Sequence, residues 1–192
     1  MNKKFTKLIA ALALLVFMMP SLAGWGQSTY TKVTTTPSDW SGTYVIVADD
    51  SNVIFTGQSG ANTYGGYASV NVSDGTVNGD FTAYEVEIAV SGEYYSIQHT
   101  NSGKYLGLTS DGNNLHFSTT VPSSNTYRWS LSTSKIVPAN YTARNLQYNS
   151  SSPRFACYTG TQKGKQKYHT SFCAVSYTWS GGDDPCADLK DI

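Results

Sequence analysis

Two stretches of this chain repeat one another at almost constant spacing: Ile97 and Ile136, Leu106 and Leu146, and Phe117 and Phe155 lie 39, 40 and 38 residues apart. Laid against each other, Tyr84 to Ser118 and Tyr127 to Tyr158 both open with an aromatic strand, Tyr84-Glu85-Val86 against Tyr127-Arg128-Trp129. An isoleucine strand, a loop, a leucine strand and a closing phenylalanine follow in each. Such self-similarity marks a unit that cannot bury its apolar face alone and must stack on copies of itself. Residues 30 to 72 supply a third, degenerate unit with Tyr44-Val45-Ile46 and Val53-Ile54-Phe55 as inner strands. Three units predict an all-β, β-trefoil-like barrel with few free edges. Spacing alone leaves a β-sandwich of similar strand count as the alternative.

Local chemistry agrees with an all-β chain. Apolar clusters are short, β-branched or aromatic, and bounded by Gly, Asn, Ser or Asp, as strands and turns require. Period-two alternation in Tyr84-Glu85-Val86-Glu87-Ile88 predicts a strand over Tyr84 to Val90 with both glutamates facing water and Tyr84, Val86 and Ile88 facing a core. Strands are also predicted over Asn114 to Ser118, Tyr127 to Leu131 and Phe172 to Tyr177. Turns fall at Ser91-Gly92, Asn101-Ser102-Gly103 and Asp111-Gly112-Asn113.

The first 23 residues have the order of a cleaved export signal: Lys3, Lys4 and Lys7, the apolar run Leu8 to Met19, then small residues at Ser21 and Ala23. A membrane span needs about 20 apolar residues, more than this run offers. The expected domains are therefore a signal peptide over 1–23, one all-β domain over 24–178 and a linker or tail over 179–192, with a secreted location. Three of the 13 basic residues leave with the leader and all 13 acidic ones stay, a net charge of −3 on the mature chain. That balance argues against a general attraction to nucleic acid or acidic membrane. Export also places Cys157, Cys173 and Cys186 where disulfides persist. Cys157 and Cys173, both in strand-like segments, are the favoured pair, although sequence leaves the pairing open. Cys157, His169, Cys173 and Cys186 match no zinc-ligand spacing, so no metal is implied.

Catalytic constellations are missing: the sequence has no nucleophile elbow, no His-Glu-x-x-His helix and no phosphate-cradling glycine loop. No cofactor follows from it, and His99 and His116 are expected to face solvent from strands. Binding chemistry is better represented, with 14 Tyr and 4 Trp, many beside Gly, Asn or Ser. A saccharide needs a flat apolar face for its ring C–H groups and amides for its hydroxyls. Tyr64, Tyr67, Tyr148 and Asn149 supply both types and are the candidate ligand-binding residues. Lys163, Lys165 and Lys167 form a compact basic loop that could meet phosphate or sulfated glycan.

The run from Tyr30 through Asp39-Trp40-Ser41-Gly42 to Val47 resembles a module that recurs in secreted multidomain proteins of Gram-negative gut and oral anaerobes. Tyr148-Asn149-Ser150-Ser151-Ser152-Pro153-Arg154-Phe155 is similar to that module's closing segment, so the likeness spans residues 30 to 176. Its usual ending on an aromatic-Lys pair departs here to Cys173-Ala174-Val175-Ser176-Tyr177. Such modules accompany nuclease, peptidase and other hydrolase domains, and the resemblance implies an accessory role. The expectation is a non-catalytic binding or targeting module with extracellular glycan as the favoured partner. Alternatives are the leading part of a secreted nuclease or other hydrolase, and a structural module packing against other domains.

Overall fold

In the computed structural model, residues 28–60, 63–160 and 170–176 are described. They carry fifteen strands and no α-helix. In chain order the strands are β1 (Ser28–Lys32), β2 (Gly42–Ala48), β3 (Val53–Gln58), β4 (Gly65–Ser69), β5 (Val72–Ser73), β6 (Thr76–Gly79), β7 (Val86–Ser91) and β8 (Tyr94–His99). There follow β9 (Lys104–Gly107), β10 (His116–Ser118), β11 (Trp129–Ser132), β12 (Lys135–Pro138), β13 (Arg144–Asn149), β14 (Arg154–Thr159) and β15 (Thr170–Ser176).

Three equivalent antiparallel pairs build a six-stranded ring: β15 with β2, β7 with β8, and β11 with β12. In these pairs Phe172 stands opposite Ile46, Ile88 opposite Ile97, and Leu131 opposite Ile136. The pairs are joined by β2 to β7 and β8 to β11, and β12 lies against β15 to complete the circuit. Three hairpins, β3–β4, β9–β10 and β13–β14, continue from the ring. Ile46, Ile97, Ile136, Phe55, Leu106 and Leu146 meet in one core, each at most 2% exposed. This is a β-trefoil. Trp129, fully buried, ties ring to hairpin by donating its indole N–H to the Leu106 carbonyl at 2.8 Å, a bond with a net value of about 1 kcal/mol.

The third unit is assembled from both ends of the chain. Its isoleucine and leucine-type strands are β2 and β3, but its first strand is β15, from beyond residue 169. Ile46 to Ile97 and Phe55 to Leu106 are both 51 residues apart, longer than the second spacing because β5 and β6 are inserted between. The β5–β6 turn is Asp74-Gly75, both at positive φ (49° and 72°), a two-residue connection that matches strand twist. With β1, this hairpin forms an outer layer: β1 pairs with β15 on one side and β6 on the other. Under it lies a second apolar cluster of Tyr30, Val45, Val47, Ile54, Val77 and Cys173, flanked by Phe81 and Tyr84. Alternate residues of β2 thus face different cores, which is why Tyr44 to Ala48 are all buried.

The Asp39-Trp40-Ser41-Gly42 segment is a turn feeding this arrangement. Asp39 Oδ1 accepts the Ser41 N–H and hydroxyl, each at 2.9 Å, and Gly42 adopts φ +140°. Trp40 is then set 5.1 Å from the Phe172 ring in the main core.

Several expectations are corrected. The segment 82–84 is a 3₁₀ turn, so the strand starts at Val86 instead of Tyr84; likewise Asn125–Tyr127 is a 3₁₀ turn and its strand starts at Trp129. The strand expected from Asn114 is confined to His116–Ser118. Glu85 does not face water: it is 8% exposed and accepts the Tyr30 hydroxyl at 3.1 Å. Tyr84 leaves the main core and stacks on Phe81 at 6.3 Å in the outer cluster. Val86 and Ile88 are buried and Glu87 is exposed, as the alternation requires.

Cys157 and Cys173 are not joined; both are free and buried. Cys157 belongs to the main core and Cys173 to the outer cluster, because successive residues of β15 turn to opposite faces. Burial pushes both thiols up, Cys173 to about 12, and Cys157 higher still, so neither is a ready nucleophile. His99 also departs from expectation. It is 6% exposed, its Nδ1 lies 2.9 Å from the Ser102 hydroxyl, and burial lowers its pKa. Gly57 makes room for it: a Cβ there would fall 2.7 Å from the imidazole. His116 is exposed on its strand, with Nδ1 2.7 Å from the Tyr127 hydroxyl.

Burial raises the Glu85 carboxyl above its ordinary 4.5, with the Tyr30 hydrogen bond opposing and Asp80 and Glu87 adding to the rise. Ionisation is thus less favourable in the folded state. The stability tied to this group is full below pH 4.5 and falls as pH rises through the raised value. Glu85→Gln cannot ionise, and is expected to melt above the parent near neutral pH and converge with it as the pH drops below 4.5. Thermal melts across that range check it; equal melting temperatures at neutral pH would show that the buried carboxylate carries no penalty.

Candidate functional site

The four residues singled out for ligand binding meet where the first hairpin touches the third. Phe155 of β14 stands opposite Gly65 of β4, and β13 pairs with β14 with Tyr148 opposite Phe155 and Asn149 opposite Arg154. Strand alternation divides this patch between two faces.

One face looks into the core. Phe55 and Phe155 pack edge to face, centroids 5.5 Å apart at 84°. Tyr148 lies 5.4 Å from Phe155 and is 5% exposed. Tyr67 closes the series at the rim, 5.3 Å from Tyr148 with the rings inclined at 59°, and remains 43% exposed. Tyr148 is therefore the support beneath Tyr67 and does not itself meet solvent. Packing this tight depends on Gly65, where a Cβ would sit 2.4 Å from Phe55 and 2.8 Å from the Phe155 Cβ.

The opposite face is polar. The Arg154 guanidinium lies 4.0 Å above the Tyr64 ring and its Nε donates to the Tyr158 hydroxyl at 3.4 Å. That oxygen also accepts from Asn149 Nδ2 at 3.3 Å. Asn149 Oδ1 accepts the backbone N–H groups of Ser151 and Ser152 at 3.0 and 3.3 Å, so this side chain holds the β13–β14 turn. The Tyr158 hydrogen bond raises Arg154 above its ordinary value, with burial opposing it, and the side chain stays a cation at every physiological pH.

Arg154 was not among the residues chosen from sequence. Its signal was present: it opens the strand after the Asn149 turn, within reach of a tyrosine-rich loop. What sequence could not show is that the loop in reach is Tyr64-Gly65-Gly66-Tyr67, some ninety positions earlier. Lys163, Lys165 and Lys167 lie outside the described residues. Among the described residues no group of three His, Cys, Asp or Glu side chains could hold a metal ion, and no helix is long and apolar enough to cross a membrane.

No protein-family model matches the chain, and no curated protein matches its sequence. Solved structures do. The chain is similar to the GlcNAcα1-4Gal releasing endo-β-galactosidase from Clostridium perfringens, with a TM-score of 0.54, 8% identity, and coverage of 70% of this chain and 32% of that one. It is similar to the Polyporus squamosus lectin bound to the epitope Neu5Acα2-6Galβ1-4GlcNAc, with a TM-score of 0.53, 14% identity, and coverage of 71% and 49%. A mosquitocidal holotoxin gives 0.53 at 13% identity, covering 72% of this chain and 18% of that one. The likeness is one of fold, and the matched part is less than half the length of each of these proteins.

Gly65→Ala forces the new methyl into Phe55 and the Phe155 backbone region. A loss of about 1–3 kcal/mol is expected, read as a lower denaturation midpoint. Glycine's lack of a side chain matters here only if the variant loses stability; an unchanged midpoint would count against tight packing at the hairpin junction.

Proposed function

We propose that this chain is a secreted, non-catalytic module that binds carbohydrate at the rim where β4 meets the β13–β14 hairpin. The observation that carries this reading is Tyr67: a large aromatic face, 43% exposed, set against the buried Tyr148 ring. A ring already fixed loses little freedom when a sugar stacks on it. On the opposite face of the junction the Tyr64 hydroxyl offers a hydrogen-bonding group suited to a sugar hydroxyl. The Polyporus squamosus lectin among the similar structures, solved with a bound glycan epitope, supports the same ligand class. A second reading, that the module is an accessory part of a longer hydrolase, is favoured by the match to only 32% of an endo-β-galactosidase chain.

Binding of the mature chain to an array of neutral and acidic glycans tests the proposal. Tyr67→Ala is expected to weaken the best ligand about tenfold or more while leaving the melting temperature unchanged. Retention of full affinity by this variant, or binding to no glycan at all, would refute it. Export is tested separately: intact mass of the protein recovered outside the cytoplasm should correspond to a chain beginning at Gly24, and an uncleaved amino terminus would defeat the leader assignment.

A further inference from the structure

Two basic side chains elsewhere on the surface are held by carboxylates. Arg144 pairs with Asp111 at 2.5 Å, and Lys32 with Asp49. Arg154, like Arg128, Lys104 and Lys135, has no carboxylate partner among the described residues. Its partners are the Tyr64 ring beneath it and the Tyr158 hydroxyl on Nε. Those two contacts hold the guanidinium between the Tyr64 ring and the Tyr158 hydroxyl. The N–H groups of Nη1 and Nη2 are given to no described residue, and Arg154 is half-buried.

We infer that Arg154, held over the Tyr64 ring, selects acidic sugars by receiving a saccharide carboxylate on its two outer nitrogens. The geometry of the two groups matches: a planar fork of N–H donors meets two coplanar oxygens through parallel hydrogen bonds. A lysine could supply the charge but neither the stacked plane nor the paired donors. Holding the cation in place beforehand removes the cost of ordering a long side chain on binding.

This inference rests on the carbohydrate reading above, and the test separates the two. The mature chain is titrated calorimetrically with two matched pairs of probes: sialyllactose against lactose, and an oligogalacturonate against its methyl ester. Within each pair the carboxylate is present or absent. The acidic member of at least one pair is expected to bind about tenfold tighter, and Arg154→Met should abolish that difference within the pair. Arg154→Lys should recover only part of the preference and should show that charge without the fork is insufficient. Equal binding within both pairs, or an acidic preference that survives Arg154→Met in a protein with parental melting temperature, overturns this inference and leaves carbohydrate binding standing. Absence of binding to all four probes and to every glycan of the array overturns both.

Discussion

The ring closes because β15 hydrogen-bonds to β2 along one edge and to β1 along the other, joining residues 44–48 and 29–32 to 170–176. Without that strand Ile46 loses its cross-strand partner Phe172, and β1 loses one of its two pairings. Phe172 and Ala174 turn into the main core while Cys173 turns outward, so one strand serves two apolar clusters at once. The same double duty falls on β2. Its unbroken apolar run makes sense only for a strand covered on both sides, whereas Val86-Glu87-Ile88, with one wet face, alternates.

Much of this was legible in the chain. Aromatic and β-branched clusters between Gly, Asn and Asp turns placed nearly every strand, and the recurrence of Ile97 at Ile136 and of Leu106 at Leu146 pointed to a trefoil over a sandwich. What was misread follows a pattern. Alternation was carried through Tyr84-Glu85 because a 3₁₀ turn leaves no break in hydropathy. The place of Glu85 against Tyr30 is set by the outer layer, which period-two reasoning does not know about. Asp74-Gly75 announced the β5–β6 hairpin and was passed over because its strands are only two and four residues long. Pairing Cys157 with Cys173 treated neighbouring strand-like segments as neighbours in space, yet the two strands meet different partners.

The candidate site divides in the same way. Composition found Tyr64, Tyr67, Tyr148 and Asn149, and the fold brings them together, but with distinct tasks. Tyr148 and Asn149 are structural, one beneath an exposed ring and the other in a turn. Tyr67 is the exposed ring of one face, and Tyr64 lies under Arg154 on the other. Which of several tyrosines is a platform and which a pillar depends on the register of Phe155 against Gly65, a relation between distant hairpins.

Threading β15 between β1 and β2 also sets an order of events in time. The barrel cannot be sealed until residue 174 has been synthesised, so the amino-terminal third waits through most of translation with Ile46 and Val45 uncovered. Such long-range closure makes folding slow. Until then the early strands stay open, and a strand made late in synthesis is the one that covers them.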